Sequence, residues 1–170
     1  NSINENFIEL VDILLKKKFN VTFRPHPEHY KRSKKTLEYI KKKFLYENFK
    51  FDESKNNIKS MEKAKCLITD SSGISIEYMI CTKRPVLYLD ESDKIHNSEF
   101  NDYSNFKTID HLIKENFGYL FKKKDFYQID IIIDNADKNF YKNLSKLNKV
   151  VKDSFFNFGN TKKYLNSNIE

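Results

Sequence analysis

The feature that most constrains this chain is an alternation. Short β-branched or aromatic runs are each followed by a stretch whose apolar residues recur at helical spacing. Residues 3–18 place Phe7, Leu10, Val11, Leu14 and Leu15 on one helical face, and three lysines then close that helix. Val21–Arg24 reads as a strand stopped by Pro25, and Lys31–Lys43 as a basic helix whose apolar stripe is Leu37, Ile40 and Phe44. The spacing continues with a strand over Asn48–Phe51, a short helix over Ser54–Lys63, and a buried strand over Lys65–Thr69. Ser72–Cys81 follows as a helix, Pro85–Leu89 as a strand, Thr108–Asn116 as a helix and Gly118–Phe121 as a last strand. Asp125–Ile169 reads as helical, with a break near Asn157–Asn160. Strands joined by helices of about ten residues imply parallel βαβ units. The expectation is an α/β fold: a Rossmann-like parallel sheet of about five strands, helices on both faces, and a helical C-terminal segment.

Length and charge set the remaining bounds. A chain of 170 residues suits a single domain, here residues 1–170. Its 31 Lys and Arg outweigh 24 Asp and Glu, giving a net charge of +7. Lysine is spread through the whole chain, so the excess favours some anionic partner without selecting one. Two cysteines, Cys66 and Cys81, make no disulfide scaffold, and both sit in apolar sequence surroundings. A reducing, cytoplasmic setting is expected. No apolar run approaches the ~20 residues of a membrane span, and the first residues lack the pattern of a signal peptide. Without an initiating methionine, the chain reads as a piece of something longer.

In open parallel sheets, ligands bind at the carboxyl ends of the strands beside a topological switch point. Two loops there are chemically unusual. The first is Phe23-Arg24-Pro25-His26-Pro27-Glu28-His29, where two prolines stiffen the backbone around His26. An imidazole held at the sheet edge can donate to an anionic oxygen; the plainer reading is a stiff turn with an exposed histidine. The pair His26 and His29 lacks the Cys or carboxylate cluster that would complete a tetrahedral site, so no metal is expected.

The second loop is Thr69-Asp70-Ser71-Ser72-Gly73, running from a strand into a helix. Asp70, Ser71 and Ser72 all suit an N-cap, and three residues beyond each there is no capping-box Glu. Amides at the start of that helix are then left for an anion, and a pyrophosphate fits such a site. Gly73 would let a phosphate approach the backbone. Glu77 lies on a helix that is otherwise apolar on nearly all sides, so its carboxylate calls for donors, and ribose hydroxyls are one source. The serines do not form a nucleophile elbow, because the glycine two residues before the serine is missing. The plain alternative is an ordinary capped helix.

Taken together, FRPHPEHYKRS, then KAKCLITDSSGISIEY, then KRPVLYLDESDKIHN resemble the CDP-glycerol glycerophosphotransferase family, which builds teichoic-acid-like and capsular polymers on bacterial surfaces. The resemblance runs from about Phe7 to Asn97. It implies the C-terminal, donor-binding half of a GT-B enzyme, with the acceptor-side half absent and the isolated piece inactive. It puts His26 near the donor phosphates as stabiliser of the leaving nucleotide. Ser71, Ser72 and Gly73 would cradle the pyrophosphate, Glu77 would meet the ribose, and Arg24 and Asp70 join the substrate-binding set. An aromatic residue often stands at the position of Ser71 in that family. The implied donor is CDP-glycerol, the acceptor lipid-linked or polymeric, and no cofactor is called for.

Asp70–Asp90 also resembles UDP-N-acetylglucosamine 2-epimerase, another GT-B enzyme, which keeps a nucleotide-sugar reading open. The basic stretch Lys31–Lys43 suits either an anionic inner-membrane surface or a solvated helix face. The second is favoured, since the apolar stripe is needed by the core. A nucleic-acid-binding module is disfavoured: no RNP-like or helix-turn-helix signature is present, and the aromatics fall on core stripes.

Overall fold

The computed structural model describes residues 3, 5–70, 73–90, 109–155 and 160. The alternation read from the sequence is there. Helix α1 (Glu5–Lys16) leads to β1 (Val21–Phe23), α2 (Pro27–Arg32), α3 (Lys34–Lys43) and β2 (Phe49–Phe51). Then come α4 (Ile58–Lys63), β3 (Leu67–Thr69), α5 (Ile74–Thr82), β4 (Val86–Leu89), α6 (Ile109–Phe117) and β5 (Tyr119–Phe121). A 3-10 turn over Lys123–Gln128 feeds the 26-residue helix α7 (Ile129–Ser154). The break expected near Asn157–Asn160 falls almost wholly outside the described residues.

One expected feature is corrected. All five strands pair in parallel, but as two ladders rather than one sheet: β1 with β2, and β3–β4–β5. The strands have only three or four residues, so each ladder carries few backbone bonds and side-chain packing must join the ladders. A single apolar cluster does this. It contains Leu10, Ile13 and Leu14 of α1, Leu87 of β4, Phe121 of β5, Phe126, and Ile129, Ile132, Ile133 and Ala136 of α7. Val21 of β1 and Ile68 of β3 both pack against it.

Helix α7 crosses the amino ends of the strands like a strap. Asp130 bonds Lys17 below α1 at 2.8 Å, and Asp134 bonds Lys65 before β3 at 3.1 Å. Further along, Phe140, Leu147 and Val151 enter a second cluster with Tyr78, Met79, Val86, Tyr88 and Ile113. The other flank of α1, Val11 and Leu15, packs on Phe23 and on Leu37, Ile40 and Phe44, the stripe expected for α3.

Two local differences from the sequence reading have simple causes. Helix α2 departs from the sequence reading, in which Pro25 and Pro27 stiffen a loop. Proline is well placed at the first helical position, though, where its missing N–H has no intrahelical partner to lose. Cys81 is exposed, on the solvent side of α5, whereas Cys66 is half-buried and its thiol is pushed up to about 11 by burial. No described helix is long and apolar enough to cross a membrane.

Candidate functional site at the carboxyl ends of the strands

Both unusual loops open at the carboxyl ends of their strands, since β1 and β3 run parallel to their ladder partners and each loop follows its strand. His26 is exposed and caps α2. Its Nδ1 accepts from the backbone N–H of Glu28 at 3.2 Å. That bond fixes the neutral tautomer: with Nδ1 an acceptor, the ring proton sits on Nε2. The structural and functional readings of His26 are therefore compatible. One nitrogen holds the helix, and the other presents a donor.

Arg24 goes elsewhere. Its Nη1 donates to Asp52 Oδ2 at 2.9 Å and Ser54 Oγ at 3.0 Å, and its Nη2 donates to the Ser54 carbonyl at 2.6 Å. This draws the guanidinium towards the loop after β2. Asp52 is the anchor, with a side chain only 4% exposed. Ser60 of α4 donates to it at 2.5 Å and the Ser54 amide at 3.0 Å. Burial alone would raise its carboxyl, but these donors and Arg24 hold it far below the usual carboxylate range. Neither Asp52 nor Ser60 stands out in the sequence, because each is an ordinary polar residue until the strands align.

Asp70 follows β3 and is half-buried. His29, one turn beyond His26, is half-buried too, and the two rings stand edge to face with centroids 6.4 Å apart. Burial, then the neighbouring His26, push the His29 imidazole below its ordinary value, while the charge of Asp70 pulls it up. The sequence suggested His29 only as half of an unlikely metal pair. Among the described residues, no group of three His, Cys, Asp or Glu is placed to hold a metal ion.

Helix α5 starts at Ile74, with Gly73 as its N-cap, so no side chain from that position caps the first amides. Gly73 is exposed, with φ −55° and ψ −28°, and a Cβ there would meet open space. Neither conformation nor packing asks for glycine. Ser71 and Ser72 lie outside the described residues. For Glu77 the premise is corrected: it is exposed, so water already solvates its carboxylate and burial creates no need for ribose donors. A separate surface pocket lies at the opposite, amino end, between Pro85, Tyr119, Asn139 and Asn143.

No protein-family model, curated protein or solved structure matches this chain.

Proposed function

We propose that this α/β domain binds the diphosphate of a nucleotide-activated donor in the crevice between the β1 and β3 loops, as the donor half of a GT-B transferase. The single observation that supports it most is His26 at the carboxyl end of β1, its Nδ1 committed to the α2 cap, together with a β3 loop that runs into a helix whose N-cap is a bare glycine. The resemblance in the RPHP and DSSG segments makes CDP-glycerol the donor. The reaction is then glycerophosphate transfer to a lipid-linked or polymeric acceptor in teichoic-acid-like or capsular polymer synthesis. In this reading the acceptor side is supplied by a second Rossmann-like half. The lysine face of α3 would lie towards solvent or, at the inner membrane face, towards anionic lipid.

The chemistry follows from the charge that develops. When the acceptor hydroxyl attacks the β-phosphorus, the bond to the bridging oxygen breaks and negative charge grows on the departing nucleoside monophosphate. The α5 amides and Gly73 hold the diphosphate in ground and transition state alike, so they act mainly on affinity. The Nε2–H of His26 donates more strongly as that charge grows, so it acts mainly on turnover.

Calorimetry on this chain is expected to show CDP binding more tightly than CMP; equal binding removes the diphosphate role. In the complete enzyme, His26→Ala loses both the cap and the donor. His26→Asn keeps a good N-cap and loses only the distal donor. The expected result is a fall in kcat of roughly 10² for His26→Asn with an unchanged melting temperature. Normal kcat in that variant reduces the loop to a structural turn.

A further inference from the structure

We infer that β1 and β3 share one further neighbour: a parallel strand, formed by a segment of the polypeptide that leads directly into α1, pairs with the open edges of both. The observation is which way the backbone groups face. Val21 donates its N–H to the Asn48 carbonyl, and the Phe23 carbonyl accepts from the Asp52 N–H, each at 2.8 Å, so both residues face β2. Backbone groups alternate sides along a strand, so Thr22 turns its N–H and C=O away from β2. Leu67 donates to the Pro85 carbonyl at 3.2 Å and faces β4, which turns Ile68 away from β4. Among the described residues, β1 and β3 belong to different sheets and share no ladder.

Inner strands of a parallel sheet are covered on both faces, as β4 is with Val86, Leu87 and Tyr88 all buried. In β3, by contrast, Leu67, Ile68 and Thr69 are each only half-buried, and Thr22 of β1 is exposed. A half-buried backbone amide such as that of Ile68 calls for a partner. Helix α1 points to its source. Leu10, Ile13 and Leu14 on one flank pack in the cluster that holds Leu87 and takes up Ile68, while Val11 and Leu15 on the other pack with Phe23 of β1. The helix thus touches both ladders, as a crossover helix touches both strands that it joins. β1 is the strand that follows α1; the strand before it runs parallel to β1 under the same helix. Its residues on the α1 side are apolar and β-branched, continuing the row of Val21 and Ile68. Its carboxyl end leads into the loop before α1, which opens at the same end as the loops after β1 and β3. On the function proposed above, that loop supplies a further part of the diphosphate site.

Residue-resolved amide hydrogen exchange tests this on two proteins: the 170-residue chain, and the same chain extended by the roughly 15 residues encoded ahead of it, enough for one strand and a loop. In the shorter chain the Thr22 and Ile68 amides are expected to exchange freely while that of Leu87 is protected. The extension is expected to slow both by about tenfold or more and to raise the melting temperature by about 5 °C or more. Thr22→Pro removes the N–H that meets the added strand and keeps the β1–β2 bonds, so it is expected to cancel that rise yet change the shorter chain little. If Thr22→Pro melts early in both proteins, prolines placed in the added strand make the same comparison. If the extended chain is insoluble, its extra residues are added to the shorter chain as a synthetic peptide. Protection of Thr22 and Ile68 in the shorter chain overturns the inference, because the edges are then closed from within. So does free exchange of both once the added residues are present. Calorimetry with CDP is a separate readout: if neither protein binds it, the proposed function falls while the exchange result still decides the strand.

Discussion

Asp52 shows how a residue acquires meaning from its neighbours. Its carboxylate is buried where β1 and β2 end, and it joins Arg24, Ser54 and Ser60 from three segments. Removing it leaves the Arg24 guanidinium facing a cavity, although that side chain is 31% exposed and water can reach it. Asp52→Ala is therefore expected to cost about 2–3 kcal/mol, below the range for a fully enclosed pair, and urea unfolding would measure it. The pH dependence follows from the direction of the shift. The folded carboxyl is depressed below its unfolded value of about 3.9, so its contribution is complete above about pH 5. It shrinks progressively as pH falls below that towards the folded value. The stability of Asp52→Asn is expected to fall less steeply between pH 5 and 3 than that of the unaltered protein. Parallel curves for the two would remove Asp52 as a source of acid sensitivity.

At the scale of elements, two of the three glycines can be compared, and they behave oppositely. Gly73 opens onto empty space, whereas a Cβ at Gly118 would sit 2.6 Å from the Lys114 carbonyl and against the Tyr88 ring. Helix α6 ends there and β5 begins, with Tyr88 of β4 buried beneath and Lys114 Nζ over its ring at 5.1 Å. Gly118→Ala is expected to destabilise by about 1–3 kcal/mol, since a backbone oxygen gives way only if the α6–β5 turn moves. A thermal melt distinguishes this from the small change expected for Gly73→Ala. Elements were the most legible part of the sequence, because strand and helix periods are local. The miss was α2. Proline marks both a turn and a helix start, and only the His26 cap with the bond from the Glu28 amide tells them apart.

At the scale of the whole molecule, two short ladders become one body through α7 and α1. Ion pairs decorate that junction, but both members of Lys65–Asp134 are more than half exposed, and such pairs are worth at most about 1 kcal/mol. The apolar cluster is the effective link. Ile133→Ala, at 3% exposure, is expected to cost about 2–5 kcal/mol, and Asp134→Ala about 0.5 kcal/mol or less, by chemical denaturation. If Asp134→Ala matched Ile133→Ala, the strap would be electrostatic.

What the sequence determined by itself was whatever depends on neighbours along the chain: the order of elements, their parallel sense, the core stripes of α1 and α3, and the two loops that carry polar chemistry. Tertiary structure alone decided the rest, for a physical reason. Arg24 turns to Asp52 because β2 ends beside β1 and brings together residues 28 positions apart. Glu77 points to water because α5 turns that face outward. The sheet divides into two ladders because strands of three or four residues make few backbone bonds, so packing against α1 and α7 sets where they lie. Electrostatics and burial act over distances in space, and only the fold converts sequence separation into distance.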